Sequence, residues 1–401
     1  MRPLAVFHSD YKTYLKEVLA AHSIARPVFL GNPRWENAEL QAAANLIPRG
    51  TPVVGNTLSP HGPVPDRWPD HWMDHLMIPT GGTGGKVKFV IHNKHTLRAA
   101  AKGLQVALEA RGLSPVLHGA SFTPPWHVSG LMPIWRAKIS GGEYGIYDGR
   151  FLATAPLPEI KLPLQGTTIA SLVPTQLSRI IHHPDGLIWL RRFKVILLGG
   201  SAIPHQVLDE IRIHQLPVYV TYGMTETAAA CALCPPERIW QGKSLAGTPL
   251  PGVHFTAHDH KVSVESPALG LGYWNGETIA RPFTTGDLGT VHSDGTIEIL
   301  GRADRVIITG GEKVDPARIE AVLKTSGLVQ DIHVFGVVDA QWGQSVVACV
   351  VANEYNCAAI RKAAEALESA ARPKHYIFVD KLPLDLRGKF DRGAAERLLQ
   401  R

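Results

Sequence analysis

Short apolar runs that break into glycines are what most limit the folds open to this chain. Lys194-Val195-Ile196-Leu197-Leu198 leads into Gly199-Gly200, and Leu216-Pro217-Val218-Tyr219-Val220-Thr221 leads into Tyr222-Gly223. A run that is apolar rather than alternating reads as a strand buried on both faces, which is what a parallel sheet covered by helices requires. A matching helix is legible over Thr96–Arg111, where Leu97, Ala100, Ala101, Leu104, Ala107 and Leu108 share one face and Gly112 ends the pattern. With 401 residues, 45% of them hydrophobic and 19% charged, the chain can bury such a core and holds two or three folding units. Open α/β sheets take their ligands at the carboxyl ends of the strands, where these glycine turns lie.

The texture changes along the chain. From Gly247 to Ile299 short segments are split by Pro251-Gly252, Asn275-Gly276 and Asp294-Gly295, which predicts a small β subdomain. After Gly301 helix and strand return, with a helix over Pro316–Thr325 opened by its proline. The domain boundary is expected near Asp304, giving domains of 1–303 and 304–401. No apolar run approaches the ~20 residues of a membrane span, and the apolar stretch after Met1 is short for a signal peptide, so the expectation is a cytoplasmic protein with no membrane partner.

Cys231, Cys234, Cys349 and Cys357 are too few and too scattered for a disulfide framework, which fits a reducing compartment. Cys231-Ala232-Leu233-Cys234 has zinc-knuckle spacing but no second Cys or His pair, so the two read as small core residues. The net charge of +6 is dispersed and no nucleic-acid signature accompanies it; phosphate-bearing small ligands explain it equally well.

Five motifs carry the chemistry. Thr80-Gly81-Gly82-Thr83-Gly84-Gly85-Lys86-Val87-Lys88 follows an apolar run, so amides and hydroxyls can wrap a polyphosphate; it is not a Walker A loop, and a structural turn is the competing reading. Tyr222-Gly223-Met224-Thr225-Glu226 places an aromatic ring for a purine, a hydroxyl for a phosphate and a carboxylate for Mg²⁺ within one pentapeptide; alone it reads equally as a strand end with a helix cap at Thr225. Asp287 and Arg302 suit ribose hydroxyls, or else form a surface turn with an ion pair. Gly301-Arg302-Ala303-Asp304-Arg305 through Gly310-Gly311 and, last, Gly388-Lys389 complete the order.

In that order these motifs resemble the adenylate-forming superfamily of acyl-CoA synthetases, nonribosomal adenylation domains and luciferases. The resemblance implies an α/β fold whose large N-terminal domain combines α/β subdomains with a small β subdomain, followed by a smaller, mobile α+β C-terminal domain. It implies ATP and Mg²⁺ as cofactors and CoA as co-substrate. Thr80, Gly82, Thr83, Gly85 and Lys88 would hold the phosphates, Gly200, Ser201, Tyr222 and Gly223 the adenine, and Asp287 and Arg302 the ribose. Thr225 would meet the α-phosphate, Glu226 the metal, and Lys389 the charge that builds on the phosphoryl group; Asp304 matches the pivot. The loop departs from the family pattern at Gly81, Gly84 and Val87, where serine, threonine and proline are usual, and the hinge departs at Arg305 and Arg318.

Pro124-Pro125-Trp126-His127-Val128-Ser129-Gly130, followed by Arg136, is similar to the corresponding segment of o-succinylbenzoate-CoA ligases, a group tied to phylloquinone and menaquinone biosynthesis. The resemblance makes His127, Ser129 and Ser201 acyl-pocket residues. Arg136 either meets the second carboxylate of a dicarboxylic aromatic acid or pairs with a nearby acid. A ligase for another carboxylic acid, or a non-catalytic adenylate-binding homologue, are the alternatives; the second is expected to lose Lys389 or Glu226, and both are present. The partners expected are small molecules, with homo-oligomerisation left open.

Overall fold

The structure, a computed structural model, describes residues 2–55, 58–65, 73–81, 87–150, 156–274, 276–353, 356–384 and 390–399, and of Asp304 the backbone only. The chain divides into two compact units: Met1–His258 with Val262–Thr285 and Val291–Glu298, and Ile299–Arg401 with Asp259–Lys261 and Gly286–Thr290.

The first unit holds two sheets. In the seven-stranded sheet the apolar runs Leu117–Ser121, Thr167–Leu172, Val195–Leu198 and Val218–Met224 lie parallel, with Tyr144–Ile146 at one edge and antiparallel Ala229–Cys234 and Thr248–Pro249 at the other. The six-stranded sheet runs Gly272–Tyr273, Val87–His92, Leu76–Gly81, Val28–Leu30, Leu4–Val6, Val53–Val54. Helices Tyr11–Ser23, Lys94–Glu109 and Val128–Ser140 bury Leu15, Leu97, Leu131 and Trp135 in one core with Leu30 and Ile78. On the opposite face of the parallel strands, Leu177, Ile180, Trp189, Val207 and Ile211 cover Ala170, Leu172, Ile196 and Val218. Both faces of the strands are covered, which is why they are apolar at consecutive positions.

The helix expected from residue 96 begins at Lys94, because the Asn93 side chain accepts from His95 N and Thr96 N and so satisfies two otherwise unpaired donors. The strand before Tyr222 continues through it to Met224, since Ala229–Cys234 folds back on it as a hairpin. The segments from Gly247 to Ile299 do not form one β subdomain. Thr248–Pro249 joins the seven-stranded sheet and Gly272–Tyr273 the six-stranded one, while His254–His258, Lys261–Glu265, Phe283–Val291 and Ile297–Arg302 form a four-stranded sheet. Cys231 and Cys234 are both buried in the strand Ala229–Cys234, where the Cys231 thiol donates to the Tyr222 carbonyl oxygen at 3.3 Å and Cys234 packs with Ile196 and Val218. Among the described residues the four cysteines form no disulfide, and no cluster of three metal-ligating side chains exists. No helix among them is long and apolar enough to cross a membrane.

In the second unit Asp331–Asp339 and Gly343–Val351 form a long antiparallel hairpin, extended by Ile307–Thr309 with Glu312–Val314 on one side and by parallel His375–Phe378. Helix Pro316–Thr325, capped by Asp315, seats Ile319 and Leu323 against Val334 and Val346.

Candidate active site

Two elements of the first unit converge on the Tyr222–Glu226 motif. Tyr222 and Gly223 close the strand Val218–Met224; a Cβ on Gly223 would lie 1.9 Å from the Ala229 carbonyl oxygen, so the hairpin closes only over glycine. Thr225–Thr227 then forms one 3₁₀ turn, followed by Ala228 and Ala229 at φ 51° and 77°. Two consecutive alanines in the left-handed region each cost about 1 kcal/mol or more, strain of the kind that persists where a turn must aim particular side chains. The half-buried Tyr222 ring tilts against Phe255 at 5.9 Å.

The turn is tied down from the strand Val87–His92. His92 is fully buried and its Nε2 lies 2.8 Å from the Thr225 carbonyl oxygen, with Nδ1 3.0 Å from Thr96 Oγ1. A carbonyl only accepts, so Nε2 carries the proton and donates. Burial pushes the imidazole down to about 4, with the bond to Thr225 acting in the opposite direction. The unfolded chain therefore binds the extra proton first, and stability that is complete above about pH 6.5 is lost as pH falls toward 4. The His92 contribution is roughly 3 kcal/mol at neutral pH, most of which is gone by about pH 5. His333 in the second unit, pushed down to about 3 chiefly by burial, acts in the same direction. Urea midpoints at pH 7 and pH 5 are expected to differ less in His92→Gln than in the parent; an unchanged difference removes His92 as a source of acid lability.

Glu226 is half-buried, and its Oε1 accepts from the Tyr273 hydroxyl at 2.8 Å. Its other oxygen and the Thr225 hydroxyl have no partner among the described residues. Burial, reinforced by the Glu226 carboxylate, holds the Tyr273 phenol above its ordinary range, so it remains a donor at any working pH. Thr80 and Lys88 face each other across the hairpin Leu76–Gly81/Val87–His92. Gly82, Thr83 and Gly85, between those strands, lie outside the described residues. Lys88 Nζ is 2.7 Å from Glu277 Oε2 and 4.9 Å from the centre of the Tyr273 ring. Lys88, Glu277, Tyr273 and Glu226 thus form one continuous polar chain, and one committed plus one open carboxylate oxygen fits a divalent cation whose remaining ligands are phosphates and water.

The loop Gly199-Gly200-Ser201 follows the neighbouring strand. Gly200 has φ 89°, and Ser201 is exposed, its hydroxyl 3.4 Å from the Ala202 carbonyl oxygen. His127 is the N-cap of helix Val128–Ser140, with Ser129 exposed in the first turn. A Cβ on Gly130 would lie 2.1 Å from the Pro124 carbonyl oxygen, so this glycine sets how tightly the helix enters.

Arg136 follows His127 by about two and a half turns, roughly 13 Å along the axis. It is 5% exposed, its Nε has no partner, and it has no acidic partner among the described residues. The gap it lines with Leu117, Gly119, Pro133 and Ile169 has no room for a water molecule. Burial pushes the guanidinium down to about 10. Of the two sequence readings, pairing with a nearby acid is therefore not what the described residues show.

Asp287 and Arg302 belong to the second unit, where Arg302 Nη1 lies 3.4 Å from Asp287 Oδ1 and the guanidinium passes over Gly286. Asp304 lies in a single 3₁₀ turn, Ala303–Arg305; its side chain lies outside the described residues. Arg305 pairs with Glu320. Lys389 lies outside the described residues too, but its flanks pair, Leu384 with Phe390 and Asp391 N with the Pro383 carbonyl oxygen at 2.8 Å. Tyr273, Glu277 and His92 are the members that sequence reasoning missed. No spacing rule links positions so far apart; His92 and Tyr273 sit in unremarkable strands and Glu277 in the loop that follows one.

The AMP-binding enzyme family matches residues 11–274, and the AMP-binding enzyme C-terminal domain matches residues 318–389. The 2-succinylbenzoate–CoA ligase of Bacillus licheniformis is 35% identical over 263 residues, 61% of this chain and 54% of that protein. Its Escherichia coli counterpart is 30% identical over 209 residues, 51% of this chain and 44% of that one. The chain spans about half the length of these curated relatives. Among solved structures, Bacillus subtilis o-succinylbenzoate-CoA synthetase in complex with its acyl-adenylate intermediate aligns at TM-score 0.76 and 20% identity, covering 98% of this chain and 88% of that one. ATP-bound MatB from Rhodopseudomonas palustris aligns at 0.75 and 22%, covering 99% and 89%. The chain shares their mixed α/β fold, with a large N-terminal and a smaller C-terminal domain.

Proposed function

We propose, from the premise that the chain belongs to the AMP-binding enzyme family, that it joins o-succinylbenzoate to CoA through an acyl-adenylate. The observation that carries this reading is the Thr225–Glu226 turn, its hydroxyl and one carboxylate oxygen open while His92 and Tyr273 hold the backbone and the other oxygen. The choice of acid rests on the relatives named 2-succinylbenzoate–CoA ligase and on the His127–Arg136 segment.

In the first half-reaction a carboxylate oxygen of the acid attacks the α-phosphorus of ATP and pyrophosphate leaves. In the second the CoA sulfur attacks the acyl carbonyl and AMP leaves. Thr80, Gly82, Thr83, Gly85 and Lys88 would hold the phosphates, Gly200, Ser201, Tyr222 and Gly223 the adenine, and Asp287 with Arg302 the ribose. Thr225 would donate to the α-phosphate. Mg²⁺ on Glu226 would neutralise phosphate charge, as Lys389 would at the reacting group. His127 and Ser129 would line the acyl pocket, Arg136 would face the second carboxylate, and Asp304 would be the pivot between the two half-reactions.

The reading is tested by pyrophosphate release over a panel of aromatic and aliphatic acids, with and without CoA. o-Succinylbenzoate is expected to be turned over with the highest kcat/KM, and CoA thioester is expected only when CoA is added. A different best acid keeps the ligase and replaces the substrate; no release with any acid removes the enzymatic reading.

A further inference from the structure

Tyr273 lies 47 positions after Glu226, yet its hydroxyl is the one donor the described residues supply to that carboxylate. Its placement is determined by backbone. The two-residue strand Gly272–Tyr273 pairs antiparallel with Val87–His92, Gly272 opposite Ile91 and Tyr273 opposite Val90. Tyr273 N donates to the Glu277 carbonyl oxygen at 2.8 Å, Trp274 N to that of Phe89 at 2.9 Å, and Gly270 N to that of Glu226 at 2.8 Å. The same strand Val87–His92 presents Lys88 above the Tyr273 ring at one end and His92 beneath the Thr225 carbonyl at the other. A cation over a ring face is worth on the order of 0.5–1 kcal/mol at a partly exposed site, enough to restrict the ring without locking it.

A glutamate carboxylate turns easily about its last torsion, which is broad rather than confined to staggered wells. With Oε1 committed to the phenol at 2.8 Å, the carboxylate plane is set and Oε2 is the oxygen left to face a ligand. Outer groups that orient a metal-binding side chain in this way typically change metal affinity by 10–100-fold when removed.

We propose that Tyr273 is a positioning residue for the metal-nucleotide complex, orienting the Glu226 carboxylate so that its second oxygen faces a divalent cation. This inference rests on the nucleotide-binding reading above. Lys88, paired with Glu277 across the ring, couples that orientation to the phosphate hairpin.

The test is Tyr273→Phe, which deletes one oxygen and keeps the ring. Mn²⁺ binding is followed by electron paramagnetic resonance in the presence of α,β-methylene-ATP, and binding of the analogue alone is followed in EDTA. The dissociation constant for Mn²⁺ is expected to rise about tenfold or more. Affinity for the analogue in EDTA and the thermal midpoint should stay at the parent values. In turnover, half-saturating Mg²⁺ should rise while kcat at saturating Mg²⁺ recovers. On a Glu226→Gln background the substitution should have no further effect on Mn²⁺ binding, since the oriented carboxylate is gone. Unchanged or tighter Mn²⁺ binding overturns the proposal, as does a matching loss of analogue affinity in EDTA, which would mark a packing role. A parent protein that binds neither the analogue nor Mn²⁺ beside it fails before any substitution is made; that result sinks the nucleotide reading itself and this inference with it.

Discussion

Lys389→Ala is expected to slow acyl-adenylate formation by roughly 100- to 1000-fold while leaving thioester formation from supplied acyl-adenylate largely intact. In the first half-reaction negative charge accumulates on the phosphoryl oxygens as the acid attacks, and an ammonium held at that point stabilises the transition state more than the ground state. In the proposed second half-reaction the developing charge is on the acyl carbonyl oxygen, which Lys389 in its proposed role would not serve. The two rates are separated by following pyrophosphate release in one assay and CoA thioester formation from synthetic acyl-adenylate in the other. Equal losses in both would show that the segment supports the fold rather than adenylation. The pairing of Leu384 with Phe390, and the stacking of Phe390 on His333 at 3.8 Å, lie outside the substituted position, so the C-terminal unit should unfold at the parent temperature.

Arg136→Met is expected to raise the thermal midpoint and, at the same time, raise the KM for o-succinylbenzoate about ten- to a hundredfold. The first half follows from burial: a guanidinium with an unpartnered Nε in a gap that excludes water loses hydration it does not regain, and an apolar side chain of similar length removes that penalty. The second requires that substrate binding open that gap and bring an anionic group to the charge, a charge-assisted contact worth about 1.5–3 kcal/mol. A monocarboxylic analogue should lose little on the same substitution, so protein and ligand changes together form a double-mutant cycle. A higher midpoint with unchanged KM for both acids would assign Arg136 to the interior alone and leave the dicarboxylate resting on the relatives.

Local chemistry was legible from the residues themselves. The strands before Gly199 and Tyr222 follow from unbroken apolar runs, and the helix Pro316–Thr325 follows from its proline and its face. Thr225 and Glu226 emerge at one turn because they are adjacent in sequence. Arg136 was named from a resembling segment and not from a periodic pattern; the helix Val128–Ser140 that carries it, and how deep it lies, came from the structure. The depth came from Gly119 and Pro133, which let helix and strand approach until no water fits.

The sequence by itself determined the types of the elements named above, the order of the motifs and the candidate groups for the chemistry, because each is read from neighbours within a few positions. Only the tertiary structure decided which of them touch. The turn-rich stretch after Gly247 was distributed among three sheets because edge strands are recruited by whichever sheet leaves backbone donors and acceptors unpaired, an outcome with no local signature. Gly272–Tyr273 went to the sheet that carries Lys88 and His92, and that pairing alone brings the Tyr273 hydroxyl to Glu226 and explains why this carboxylate has one oxygen committed and one open.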